Sequence, residues 1–252
     1  MSEIDAPLPV RIAMWSGPRN ISTAMMRSFE NRDDTVVVDE PFYAASLAVT
    51  GADHPLREAV IASQPTDPAE VVRELMAPIP GGRSVFYQKH MTHHMLQGFP
   101  LDWTADVVNV FLIRSPEAVL ASYTQKWDSV TLEAIGIPMQ MALFERAADR
   151  LGRAPPVLDS ADVLADPRGV LGALCKACGI GFSERMLSWP AGKRASDGVW
   201  APAWYDAVEK STGFGPARSQ SEAVVLRDDL QRIADAGRPS YERLKSFALK
   251  AG

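Results

Sequence analysis

Cysteine is scarce in this chain of 252 residues: Cys175 and Cys178 are the only two, too few for a disulfide framework. A reducing compartment, the cytoplasm, is the expectation that follows. Positive charge is not in excess, since 26 Lys and Arg stand against 31 Asp and Glu for a net charge of −5. Broad nucleic-acid and membrane surfaces need clustered positive charge, so neither partner is expected, although a local basic pocket is compatible with this balance. Long hydrophobic runs are missing too. The longest apolar stretches lie near residues 107–113, far short of the ~20 residues that span a bilayer. The opening Met1-Ser2-Glu3-Ile4-Asp5 is acidic and leads into no apolar stretch, so no secretory signal is expected. Internal repeats and low-complexity segments are absent. What is present, 46% hydrophobic and 23% charged residues, matches ordinary globular proteins. A chain of this length buries about three quarters of its unfolded surface, enough for one domain over residues 1–252.

Short apolar runs recur at residues 10–15, 35–38, 84–87, 107–113 and 156–158 and read as buried strands. Helical patterns separate them at residues 67–77, 116–127, 131–151 and 167–178. After the first run the period changes at Asn20, with Ile21, Ala24, Met25, Ser28 and Phe29 on one face and Asn20, Ser22 or Thr23 available as a cap. Strands alternating with helices predict a three-layer α/β/α fold on a central parallel sheet. Ligands of such sheets bind beyond the carboxyl ends of the strands. Residues 189–215 mix Trp, Pro, Gly and charge without a period and read as a long loop with a short helix, a lid or an acceptor loop. Residues 221–236 and 239–249 read as two closing helices.

Four segments carry chemistry. Ser16-Gly17-Pro18-Arg19-Asn20-Ile21-Ser22-Thr23 joins a strand to a helix through a glycine loop, turning backbone N–H groups and the positive helix end toward one point. Arg19 adds a charge and Ser22 and Thr23 add hydroxyls, the makings of a phosphate site. The ATP-binding pattern G-x-x-x-x-G-K-[ST] is not met, because neither a second glycine nor a lysine stands between Gly17 and Ser22. An ordinary strand-to-helix turn is the plainer alternative. Val36-Val37-Val38-Asp39-Glu40-Pro41 ends a strand in two carboxylates, readable as a magnesium-holding Asp39, as a base at Glu40, or as a solvated strand end. The run 85–94 delivers Lys89 and His90 at a strand end and contains three of the four histidines. His90 and His94 form an i, i+4 pair only on a helix, and no third ligand is obvious, so no metal is expected. A lysine to neutralise a bridging oxygen beside a histidine to take a proton suits group transfer better. In the fourth, Arg114-Ser115-Pro116 ends a strand and opens a helix that carries Ser122, so an arginine and a hydroxyl reach one anion from two sides. Cys175 and Cys178 read as buried helix residues rather than a redox pair.

Taken together, in this order and spacing, the segments resemble the sulfotransferases that use 3′-phosphoadenosine 5′-phosphosulfate (PAPS), over about residues 10–182. The resemblance implies that Ser16 to Thr23 form the 5′-phosphosulfate loop with Arg19 as its cation. It implies that Arg114 and Ser122 hold the 3′-phosphate, that Lys89 offsets charge on the bridging oxygen, and that His90 or Glu40 takes the acceptor's proton. Arg194 and Gly198, in Lys193-Arg194-Ala195-Ser196-Asp197-Gly198-Val199-Trp200, resemble the family's late cofactor-binding loop. Asn20-Ile21 stand where Ser-Gly is common in the family, and Lys89 and His90 are adjacent where one residue usually separates them. The implied activity is sulfuryl transfer from PAPS to a hydroxyl or amine of a small molecule, with no metal. Two alternatives stand beside it: an ATP- and magnesium-dependent kinase or NTPase with a degenerate loop, and a nucleotide-binding module without turnover. Acceptor identity and oligomeric state are not legible.

Overall fold

The computed structural model describes residues 9–125, 129–215 and 225–251. Five parallel strands form one sheet in the order β2-β3-β1-β4-β5, where β1 is Val10–Ser16, β2 Thr35–Asp39, β3 Val85–Met91, β4 Val108–Ile113 and β5 Val157–Asp159. Each run read as a strand is one. They are apolar runs rather than alternating ones because both faces are covered. On one face α1 (Ser22–Glu30) packs Met25, Met26 and Phe29 against Ile12, Met14 and Tyr87. Further along that face, α7 (Ser160–Ala165) and α8 (Pro167–Ala177) bury Val163, Val170 and Leu174. The other face, carrying Ala13, Trp15, Phe86 and Phe111, receives α4 (Pro68–Met76), α6 (Ile137–Leu151) and α11 (Asp228–Lys245). Helices α2 (Tyr43–Thr50) and α3 (Arg57–Ser63) follow β2, α5 (Pro116–Tyr123) follows β4, and α9 (Ala201–Trp204) and α10 (Asp206–Glu209) lie in the late segment. No helix among the described residues is long and apolar enough to cross a membrane.

The chain leaves β1 toward β2 and β3 on one side and reaches β4 and β5 on the other, so the strand order reverses at β1 and β4. Loops following those two strands open onto the crevice where such sheets hold ligands.

Three expectations are corrected. The two closing helices are one, α11, of 18 residues with Pro239 inside it, and residues 221–224 lie outside the described ones. A proline removes one helical hydrogen bond, but Leu230, Ala234, Tyr241 and Leu244 stay buried along one side, and a Cβ on Gly237 would lie 2.9 Å from Ile137 Cδ1. Packing against α5 and α6 thus keeps the helix continuous. Helix α6 begins at Ile137 rather than 131, after Gly136 at φ +75°. Helix α1 has no side-chain cap from Asn20, Ser22 or Thr23: Ile21 is its N-cap at φ 42°, ψ 12°.

Candidate active site

At the β1 end, backbone strain and side-chain anchors shape the loop. Arg19 and Ile21 both have positive φ, 58° and 42°, a conformation uncommon outside glycine. Buried Asn20 fastens the turn to β4 by donating from Nδ2 to the Leu112 carbonyl at 2.7 Å. Behind it, a Cβ on Gly17 would come within 2.6 Å of the Ile135 carbonyl oxygen, so only glycine fits. Thr92 clamps the same spot, its hydroxyl donating to Gly136 O at 2.9 Å and lying 3.4 Å from Ser16 O. No side chain caps the first turn of α1, a helix start whose N–H groups can receive an anion.

Arg19, Arg114 and Ser122 are brought together here. Arg19 Nε donates to Ser122 Oγ at 3.0 Å, and Arg114 Nη1 donates to the Arg19 carbonyl oxygen. Burial lowers the Arg19 pKa from its ordinary value, without threatening a charge that guanidinium keeps at any working pH. Two guanidinium groups and a hydroxyl at a strand-order reversal, beside an uncapped helix start, make a site for more than one phosphate-like group.

The β2 and β3 ends build something different. Lys89, 1% exposed, donates to Asp39 Oδ1 at 2.8 Å, Glu40 Oε1 at 2.6 Å and Tyr205 Oη at 2.9 Å. Those bonds use all three of its N–H donors. Burial alone would pull the Lys89 pKa down, but Asp39 and Glu40 outweigh it and hold the ammonium well above its ordinary value. Tyr205 Oη donates to Asp39 Oδ2 at 2.6 Å and accepts from Trp200 Nε1 at 3.2 Å. Glu40 sits at φ 43°, its N–H donating to Lys89 O at 2.9 Å and its carbonyl accepting from Tyr43 N–H and Gln64 Nε2.

His90 is not beside Lys89. Successive strand residues point to opposite faces, so His90 lies on the α4 and α6 side, stacked on Trp15 at 4.4 Å between ring centres. Its Nε2 is 3.3 Å from Gln88 Oε1, and burial pushes its pKa down to about 3. The structure therefore separates His90 from Lys89 and Glu40, which the sequence reading had placed beside it. Arg194 is not brought to the loop either: it donates to Pro190 O at 2.8 Å and lies 3.9 Å from Glu30. Glu30 ends α1, roughly 12 Å along the helix from the first turn. Gly198 N–H is 3.4 Å from Asp39 Oδ2, and a Cβ there would strike the Trp200 ring at 2.1 Å. The late segment is pinned to α1 by Arg27 and Asp197 at 2.6 Å, both buried.

Tyr205 escaped the sequence reading; a lone tyrosine inside an aperiodic segment carried no signal. The histidines were visible but not their company: His94 stacks on Tyr43 at 4.4 Å, and His54 Nδ1 meets Tyr43 Oη. Among the described residues no group of three or more His, Cys, Asp or Glu is placed to hold a metal. Cys175 and Cys178 are buried and free, and burial pushes the Cys178 thiol up to about 12.

Residues 10–248 match the family model described as a sulfotransferase domain. Two Arabidopsis thaliana relatives, branched-chain-amino-acid aminotransferase-like proteins 1 and 2, are 36% and 34% identical over 94% and 85% of this chain. The chain spans about two fifths of their length, 42% and 38%. Among solved structures, the sulfotransferase domain from the curacin biosynthetic pathway is similar with a TM-score of 0.57, 17% identity, and coverage of 94% of this chain and 99% of that one. A sulfotransferase from Alicyclobacillus acidocaldarius gives 0.52 and 14%, each chain covered to 96%. The sulfotransferase domain of the Synechococcus PCC 7002 olefin synthase gives 0.51 and 18%, covering 93% and 97%. At these identities the structural likeness speaks for the fold.

Proposed function

The chain belongs to the sulfotransferase domain family, and from that premise we propose that it moves a sulfuryl group from PAPS to a hydroxyl or amine of a small-molecule acceptor. One observation carries the reading: Arg19, Arg114 and Ser122, 103 residues apart in the chain at the extremes, meet beside the uncapped start of α1. Two cationic side chains there suit a nucleotide charged at both its 5′ and 3′ positions. In this reading Arg19 and the N–H groups from Ser16 to Thr23 bind the 5′-phosphosulfate, and Arg114 with Ser122 binds the 3′-phosphate. Fixed cations aimed at developing charge need no metal to act. Lys89, all of whose donors are taken by protein, holds Glu40 in place, and charge on the leaving oxygen falls to Arg19 and the loop. The acceptor's proton leaves toward Glu40. Two buried free thiols suit the reducing cytoplasm.

The kinase alternative needs Asp39 for magnesium. Both Asp39 oxygens are already engaged, one by Lys89 and the other by Tyr205. The aminotransferase in the relatives' names describes proteins more than twice this length and finds no support in the site.

The test is thermal unfolding with 3′-phosphoadenosine 5′-phosphate (PAP), the nucleotide product, against ATP with magnesium. At about 100 times its dissociation constant PAP stabilises by roughly 2.7 kcal/mol, a shift of several degrees, and ATP with magnesium does little. A large shift with ATP and magnesium and none with PAP overturns the reading.

A further inference from the structure

Three of the four histidines form a chain of touching rings around Tyr43. His94 stacks on Tyr43 at 4.4 Å between ring centres, His93 meets His94 edge-on at 4.4 Å, and His54 meets Tyr43 edge-on at 5.4 Å. His93 and His94 belong to the turn Thr92–His94 that follows β3, and the Nδ1 atom of each is buried without a hydrogen-bond partner. A neutral imidazole can keep its proton on Nε2, whereas a protonated one carries N–H on both nitrogens. A buried donor without an acceptor is costly. The surrounding charges offer little relief. Glu40 Oε2 lies 3.9 Å from His94 Nδ1, but Glu40 Oε1 is bonded to Lys89, whose charge opposes protonation of both rings. Asp39 and Glu40 against Lys89 leave one negative charge to face two imidazoliums in contact. Helix α6, which packs against the turn, has no charged side chain from Ile137 to Phe144. The same turn braces the glycine loop. Thr92, fully buried, donates to Gly136 O at 2.9 Å and lies 3.4 Å from Ser16 O. A Cβ on Gly136 would strike Thr92 Oγ1 and lie 3.4 Å from His93 N and 3.6 Å from Gly17 Cα, so turn, Gly136 and loop are packed on one another.

Resting on the sulfotransferase reading for the identity of the ligand, we propose that the turn Thr92–His94 is an acid-sensitive brace. When His93 and His94 take up protons they leave their buried places, the turn lets go of the loop from Ser16 to Thr23, and the nucleotide is released. The titratable and charged groups facing the two rings are Glu40, Lys89, Tyr43, His54 and, toward His94, His90. Burial first, and then the neighbouring rings and Lys89, hold both pKa values well below the ordinary one, so both rings are neutral in the closed turn. In an opened turn each returns to about 6.5. The closed turn is therefore fully favoured above pH 6.5 and loses ground as pH falls below that value. Each ring that charges only in the opened turn raises the opened population up to about tenfold per pH unit, and the two together up to about a hundredfold. His90, stacked on Trp15 in the core, is outside the brace.

Hydrogen exchange of the full chain without ligand, from pH 7.5 to pH 5.0 and corrected for the intrinsic pH dependence, reads the brace directly. The amides of residues 92–95 and 17–23 should gain exchange together, by up to about a hundredfold per unit below pH 6.5, while β1 and β4 stay protected. In His93→Gln the slope should fall to about tenfold per unit. A rate that does not rise down to pH 5.0, a slope unmoved by His93→Gln, or exchange only in step with β1 and β4 overturns the proposal. Release is read by calorimetry with PAP at constant ionic strength. Between pH 7.5 and pH 5.5 the wild type should lose about tenfold or more affinity beyond the loss in the double variant His93→Gln, His94→Gln. Titration of the phosphates of PAP itself, near pH 6, is common to both proteins. An equal loss in a double variant that binds PAP at pH 7.5 overturns the release step; where that variant does not fold, the exchange slope of His93→Gln decides. A wild type that binds no PAP at pH 7.5 overturns the sulfotransferase reading, and the exchange result still decides the brace.

Discussion

Arg19 and Arg114 reach the crevice from loops directly following β1 and β4, both partly buried, Arg19 placed by its bond to Ser122 of α5 and Arg114 by its bond to the Arg19 carbonyl oxygen. Lys89 and Asp39 reach it from strand ends, sealed from water, and are completed by Tyr205, 116 residues beyond Lys89. The first region leaves its cations partly exposed, and the second spends all three donors of its lysine on the protein. A charge meant to hold an incoming anion must stay partly solvated, since a buried ion is tolerable only when already paired. A group meant to sit at one angle benefits from the opposite treatment. On this comparison the sulfotransferase reading gives binding to the arginines and positioning to the lysine, whereas the strand-end place and the family resemblance give Lys89 to the reacting bond.

The strongest way to break the comparison is Lys89→Met. If the lysine is structural, its loss leaves two carboxylates buried without a cation, and urea unfolding should show about 3–5 kcal/mol of destabilisation. A loss below about 1 kcal/mol would return Lys89 to the ligand side. Arg114→Ala should do the reverse: calorimetry should find PAP affinity weakened by about 1.5–3 kcal/mol, roughly tenfold to a hundredfold, with the melting temperature of the free protein nearly unchanged. Unaltered affinity in a folded Arg114→Ala protein removes it from the nucleotide site.

A third test separates His90 from the reacting groups through pH. Its folded pKa of about 3 lies below the ordinary 6.5, so the unfolded state binds the extra proton between those values. The stability it confers is complete above pH 6.5 and falls as pH drops, by up to about 1.4 kcal/mol per unit. By pH 5 the loss from His90 is about 2 kcal/mol, and His93 and His94, also held low by burial, add to it. His90→Phe should flatten the pH 7 to pH 5 difference by about that amount; an unchanged slope means that His90 protonates in the folded state. The smallest effect belongs to Tyr205→Phe, which removes one hydroxyl from the Lys89 cluster at about 1 kcal/mol. PAP affinity should not move, and a drop would mean that the late segment belongs to the nucleotide side as well.

The sequence by itself determined the strands, the glycine loop after β1 and the strand-end arginines. Apolar runs, glycine spacing and the order Arg19, Arg114, Ser122 are properties of neighbouring residues, and both the parallel sheet and the crevice at its carboxyl ends follow from their alternation. The tertiary structure alone decided which face each strand-end residue serves. Lys89 and His90 are adjacent in sequence, yet the pleat sends one to Asp39 and Tyr205 and the other onto Trp15. It also decided that α11 runs through Pro239, because burial along one side outweighs one missing hydrogen bond. Arg194 lies beside Glu30 for the same reason: partners far apart in the chain are chosen by packing, which local pattern does not encode.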